Sequence, residues 1–275
     1  MLFPFFVYSQ HQEREVLLYN VGFGGLSAGI GAAINHRDVN WRKSFVKGFW
    51  QGSIGGLINY SSKKTIRLVG QQNSYAYALP ARILNSAGNS IIVNAAYNQP
   101  FLANWYFEYG VFRLEYHVKS SNKLRLRLLP ESLLASAISL RKGNFDLNTT
   151  LLTGVMAFKT KDYISPERKN VDGVNYGRAF IYYNYDSTLK YPVVAHEVLH
   201  EFQYREHLVF NSYFQPGEMK KGFVKNLFTK YLYPDVPYFA LFYMIQGVSP
   251  GVRFYDNFYE FEAERFATNK VIRRY

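Results

Sequence analysis

The chain has 275 residues, a net charge of +12, a pI near 9.6 and no cysteine. Its length suits one compact unit with an N-terminal appendage, and the missing thiols exclude a disulfide framework or a thiolate metal site, leaving only histidine and carboxylate as metal ligands. Lysine and arginine are dispersed along the chain, not gathered in runs, which reads as a basic solvated surface with no specific nucleic-acid binding.

Residues 1–10 carry a short apolar run ending in Val7-Tyr8-Ser9, a loosely small-residue cleavage context. They read as the remnant of a secretory signal, so the expected location is the periplasm or cell envelope. From Val16 to Ile34 there are nineteen uncharged residues, enough to cross a bilayer. Gly48 to Ser62 repeats the small-residue theme, and Gly25-x-x-x-Gly29 suits close approach of two helices. Residues 11–66 therefore read as a Gly-rich helical hairpin. The glycines, Asn20 and Ser27 dilute its apolar content, which favours packing against the protein itself. Membrane association through residues 16–62 is the other reading, and it would set a basic chain against anionic lipid.

After Arg67 the pattern shortens toward period two, and residues 67–185 read as β-rich. Phe112, Leu114, Tyr116 and Val118 alternate with Arg113, Glu115, His117 and Lys119. Ser120-Ser121-Asn122 turns the chain, and Leu124, Leu126 and Leu128 alternate with Lys123, Arg125 and Arg127. This predicts an antiparallel hairpin with one wet face, on which His117 is a surface residue. Leu151 to Lys159 and Arg178 to Tyr185 read as further strands.

Past Tyr185 the period lengthens and residues 186–275 read as helical. Asp186-Ser187-Thr188 offers caps, Pro192 suits a first turn, and a helix is expected to run to about Phe210. More helices are expected over Glu218 to Tyr231, Pro237 to Gln246 and Asp256 to the C-terminus. The segment 237–246 is apolar almost all round, which reads as a buried core helix. The fold class is thus α+β.

The helix after Pro192 carries His196-Glu197-Val198-Leu199-His200, an HExxH pattern. Residues four apart share a helix face, so both imidazoles reach one tetrahedral metal while Glu197, angled aside, can act on a water there. That is a hydrolase arrangement. A catalytic zinc needs a third protein ligand. A local return to the metal would need Gly at 203 and His at 206, where the chain has Gln203 and Glu206, and Glu206 lies roughly 15 Å along the axis from His196. His207 is further still and reads as a polar surface residue or a support to the site. On the final helix Glu260 and Glu264 share a face, Glu262 points away, and Ala263 and Ala267 permit close approach. Glu260 then completes a His2Glu site, and Glu264 accepts a hydrogen bond from a ligand imidazole.

The HExxH helix followed by Glu260-Phe261-Glu262-Ala263-Glu264-Arg265-Phe266-Ala267 resembles the gluzincin metallopeptidases over residues 178 to 270. The branch it resembles holds the heat-shock and prenyl-protein membrane proteases and the minigluzincins. The resemblance implies a zincin-like metallopeptidase domain within residues 67–275, with Zn2+ on His196, His200 and Glu260 and with Glu197 as general base. Glu264 stands where that family has Asp. A peptide or protein substrate is implied, adding as an extended strand to an edge formed by residues 177–184. Tyr204, His207 and Tyr255 are candidate oxyanion donors. Two other readings stand beside this one: a non-catalytic envelope or membrane-associated scaffold that keeps a structural or relic metal site, and an outer-membrane β-barrel, against which the helical C-terminal third argues.

Overall fold

The structure, a computed structural model, describes residues 3–36, 40–121, 123–162, 172–184, 188–213, 230–247 and 257–268. The fold is α+β. Three helices come first: α1 (Phe3–Asn35), α2 (Trp41–Gln72) and α3 (Ala78–Ala96). Asn40 caps α2 by accepting from the Lys43 amide, and Asn73, in the left-handed region at φ 49°, closes it. The glycines expected to bring two helices together do so. A Cβ at Gly52 would stand 2.3 Å from the Gly24 carbonyl oxygen, and one at Gly56 would stand 2.1 Å from that of Asn20. Backbones approach this closely only where side chains are missing.

The strand-rich block expected from residue 67 begins later. Residues 67–72 complete α2, 78–96 form α3, and the first strand starts at Asn104. Strands β1 (Asn104–Tyr109), β2 (Phe112–His117) and β3 (Leu124–Leu128) make an antiparallel sheet in that order. Then come α4 (Pro130–Leu140), β4 (Asn144–Phe145), α5 (Leu147–Thr153), β5 (Met156–Thr160), β6 (Gly173–Asn175) and β7 (Ala179–Tyr183). The strand expected from Leu151 therefore starts only at Met156. Asp146 caps α5 by accepting from the Thr149 amide, and Gly154, at φ 69°, ends it. The second sheet has the order β4-β5-β7-β6, with β5 and β7 parallel and the outer pairs antiparallel. Helices α6 (Lys190–Glu206), α7 (Tyr238–Gly247) and α8 (Phe258–Thr268) finish the described chain. Helix α6 ends at Glu206, and a 3-10 segment continues to Tyr213 where an α-helix to Phe210 was expected. The helix expected over 218–231 lies outside the described residues up to 229. Among the described residues the strands form two small sheets and no closed barrel.

The β2–β3 hairpin turns out with the opposite face inward. Arg113 and Glu115 are buried while Phe112, Leu114 and Tyr116 are exposed. The buried charges are satisfied. Arg113 Nε donates to Glu115 at 2.7 Å, and its guanidinium lies 4.3 Å from the Tyr106 ring centroid and 3.8 Å from that of Tyr233. His117 is consequently no free surface residue: its Nδ1 lies 2.6 Å from Asn104 Oδ1 and its Nε2 3.5 Å from Glu115. Helix α4 repeats the reversal, with Ser132, Ser136 and Ser139 inside and Leu133, Leu134 and Ile138 outside. Much of the basic charge is likewise internal, for Lys63, Arg82, Arg113, Arg178 and Arg205 are all buried.

The main core gathers around α6. Val194, Ala195, Val198, Leu199 and Phe202 pack with Ile66 and Val69 of α2, Phe180 of β7, and Phe261, Ala263 and Phe266 of α8. Helix α7 is not buried all round, because Phe239 faces in while Leu241, Met244 and Ile245 are exposed.

Candidate metal centre

Helix α6 starts one turn before the motif, with Pro192 in its first turn, where a missing amide hydrogen costs nothing. Every side of its second half is then tied to a different element. Glu201 takes both terminal guanidinium nitrogens of Arg82 on α3, at 3.1 and 3.2 Å. Arg205 reaches Glu108 of β1 at 3.2 Å, and Glu206 accepts from Lys63 of α2 at 2.9 Å. These buried ion pairs fix the rotation and height of the helix, and with them the direction of its histidines.

His196 and His200 stand one turn apart with their Nε2 atoms 3.0 Å from each other. Glu260, in the first turn of α8, puts Oε2 3.3 Å from His196 Nε2 and Oε1 3.4 Å from His200 Nε2. Small Ala263 and Ala267, both buried against α6 residues, let α8 come this near. Tetrahedral coordination with bonds of about 2.0–2.1 Å separates neighbouring donors by roughly 3.3–3.4 Å. The three side chains are close enough together that they could hold a metal ion. Glu260 Oε2 and one further atom, Glu197 Oε2, are buried and make no hydrogen bond among the described residues, which leaves them open to a cation. Among those residues this is the one group of three such side chains whose donor atoms lie within 4.8 Å of one another.

The electrostatics agree with the need for a cation. Burial disfavours a charge on His196, yet Glu260, Glu264 and Glu197 raise its pKa to about 10. Burial opposes ionisation of Glu260, but His200 and His196 hold its carboxyl far below the usual range. Glu197 moves the other way, pushed up by burial.

Each of the two histidines has a partner at its other nitrogen. Glu264, one turn after Glu260, lies 3.6 Å from His196 Nδ1, as its position on the helix face predicts. The partner of His200 is Gln203, whose Oε1 is 2.8 Å from Nδ1. Sequence reading weighed Gln203 only as a residue that fails to be glycine; its place one turn after His200, with an acceptor oxygen, was the available signal. Tyr243 of α7 was also missed. Its hydroxyl donates to Glu260 Oε1 at 2.5 Å, and only the fold distinguishes it among the 24 tyrosines of the chain.

The other candidates fall elsewhere. Tyr204 is buried with Leu208, Phe239 and Tyr259, with the Arg178 guanidinium over its ring. His207 is not a surface residue: it bonds the Gln203 carbonyl oxygen at 2.7 Å and the Tyr259 hydroxyl at 2.9 Å. Burial lowers its pKa to about 4. Both shape the aromatic core behind α6. Tyr255 lies outside the described residues. Glu262 does point away from the histidines, but into the protein, where it is fully buried and accepts from Lys63 at 2.8 Å.

The strand before the motif helix is not an edge. β7 lies between β5 and β6, and the edge on that side is β6. β6 runs against the face of α6 that carries Glu197: Asn175 Nδ2 donates to the Glu197 carbonyl oxygen at 2.7 Å, and a Cβ at Gly173 would stand 2.3 Å from Glu197 Oε1.

No protein-family model, curated protein or solved structure matches the chain. The likeness to gluzincins therefore rests on the residues of the site.

Proposed function

We propose that the protein is a zinc-dependent metallopeptidase of gluzincin type, with His196, His200 and Glu260 as ligands. The observation that carries this reading is the convergence of the two Nε2 atoms, 3.0 Å apart, with the two Glu260 oxygens, Oε2 at 3.3 Å from His196 and Oε1 at 3.4 Å from His200, beside Glu197, which is next in sequence to His196 and buried without a hydrogen bond at Oε2 among the described residues. A bound zinc ion would supply Lewis acidity, polarising a carbonyl and lowering the pKa of water at its open position to about 7.

The chain's own residues do the rest. Glu197 accepts a proton from the attacking water and delivers it to the leaving amine, and its raised pKa suits both halves of that task. Tyr243 donates its hydroxyl to Glu260 Oε1 and so holds that carboxylate in place. Gln203 and Glu264 hold the imidazoles by their outer nitrogens. An extended peptide adds to the edge of β6, unpaired by any strand among the described residues, beside Glu197. Export to the periplasm or envelope accompanies this reading, since the Glu13–Asn35 stretch of α1 is long and apolar enough for a membrane anchor or a signal.

Two measurements test the proposal together. Purified protein binds about one zinc per chain, lost in His196→Ala, and Glu197→Gln keeps the metal while cleavage of a peptide library disappears. Equal cleavage by wild type and Glu197→Gln refutes the mechanism. Zinc retained without any cleavage by the wild type assigns the site to a structural role instead.

A further inference from the structure

The N-terminal helices reverse the polarity of a water-facing bundle. Their inner faces hold Asn20, Gln51, Asn59, Ser62, Asn85 and Asn94, all buried. Their outer faces are apolar. Helix α1 presents Leu18, Leu26 and Ile30, and α2 presents Val46, Trp50, Ile54 and Leu57, with Trp50 66 % exposed. On α2 these positions recur every three or four residues and form a continuous apolar stripe, and on α1 Leu26 and Ile30 are four apart, with Leu18 two turns earlier across Gly22. In water an amphipathic helix does the opposite, turning its apolar side to the core. Where lipid solvates the outer face, small and polar residues pack helix against helix and apolar ones face outward.

The distribution of charge points the same way. Carboxylates are drawn inside: Glu108, Glu115, Glu201, Glu206 and Glu262 are all buried against arginine or lysine. The charged side chains left exposed among the described residues are twelve Lys or Arg and three Asp or Glu. Three of the basic ones lie near the ends of the α2 stripe: Lys43 and Lys47 at its start, where Lys47 Nζ also donates to Asn98 at 2.9 Å, and Lys64 beyond its end, 3.8 Å from Glu13. A basic rim around an apolar face matches the layered chemistry of a membrane surface, anionic headgroup over hydrocarbon.

We infer that the outer face of α1 and α2 contacts the acyl region of an anionic lipid bilayer, with Lys43, Lys47 and Lys64 on its phosphate headgroups. The test is flotation of the full chain with vesicles of phosphatidylcholine alone, or of phosphatidylcholine mixed with phosphatidylglycerol. Wild type floats with the mixed vesicles, and its tryptophan emission shifts to the blue, a shift largely lost in Trp50→Phe. Ile54→Glu combined with Leu57→Glu abolishes flotation while the circular dichroism spectrum is retained. If that pair unfolds the protein, Trp50→Ser takes its place. Lys43→Glu with Lys47→Glu weakens flotation on mixed vesicles by about tenfold or more. Flotation of the apolar-face variants equal to wild type overturns the inference. So does a wild type that ignores both vesicles and sediments as a dimer, which makes a second copy the occupant of the face. Charge reversal without effect on the preference for mixed vesicles removes the headgroup contacts. None of these readouts uses catalysis, so they stand or fall apart from the peptidase reading.

Discussion

Gln203 Oε1 lies 2.8 Å from His200 Nδ1, the ring nitrogen that does not face Glu260. An amide oxygen can only accept, so the contact puts the imidazole proton on Nδ1 and leaves the Nε2 lone pair for an ion. Gln203 is itself held, because its Nε2 donates to the Tyr259 carbonyl oxygen and to Glu262 Oε2, each at 2.9 Å. Replacing Gln203 with Leu keeps the bulk and removes the acceptor. Zinc affinity then falls about 10- to 100-fold, the range for such supporting contacts. Competition with a chelator measures it, and unchanged affinity means that packing alone orients the ring.

Gly173 touches the carboxylate of Glu197 so closely that no side chain fits between them. Gly173→Val displaces Glu197 while leaving His196, His200 and Glu260 in place. A shift of about 1 Å in a catalytic group costs on the order of a hundredfold in rate. The expected result is a loss of that size in kcat with zinc content unchanged. A parallel loss of zinc points instead to collapse of the whole site.

The convergence of His196, His200 and Glu260 was legible because its signals are largely local. His196 and His200 are four apart, Glu260 and Glu264 are four apart, and helix geometry fixes what shares a face. What failed was the step from alternation to orientation. Period-two patterning tells which residues of β2 lie together but not which set is inside, and apolar-inward is only the habit of proteins in water. Here Arg113 and Glu115 are inside because they meet Glu108, Arg127 and the rings of Tyr106 and Tyr233, from three separate stretches of chain. The same holds for Glu262 and Lys63, nearly two hundred residues apart. No window of sequence contains such a partnership. The glycines of α1 and α2 were readable for the converse reason, since a missing side chain invites contact whatever the partner is.

Lys63 is fully buried between Glu206, at 2.9 Å, and Glu262, at 2.8 Å, and so joins α2 to the two helices that carry the site. Removing it strands two carboxylates in the interior. Lys63→Met is expected to destabilise the fold by about 3–5 kcal/mol, the usual cost of breaking a buried pair from one side. Neutralising all three, with Glu206→Gln and Glu262→Gln added, recovers most of that loss because no uncompensated charge remains. Denaturant midpoints of the single and triple variants decide the matter. A triple variant as weak as the single one assigns Lys63 a packing role through its aliphatic stem.

Acid sensitivity follows from Glu108. Burial would raise its carboxyl, but Arg178, Arg205 and Arg113 overcome that and hold it well below the ordinary value of 4.5. Arg178 donates to it at 2.6 Å, and Arg82 Nε donates to its main-chain oxygen at 2.7 Å. Because the folded pKa is depressed, the unfolded chain binds this proton first on acidification. The stabilisation is therefore complete above the unfolded pKa and is lost as pH falls through it toward the lower folded value. Asp235 shares Arg178, but burial and the neighbouring Glu108 push it up to about 6, so it does not set this acid limit. Thermal midpoints should hold near neutrality and drop steeply below about pH 4. Glu108→Gln leaves its guanidinium partners without this counter-charge and lowers the midpoint at neutral pH, yet flattens the acid dependence. A variant that keeps the wild-type slope below about pH 4 transfers the acid limit to other carboxylates.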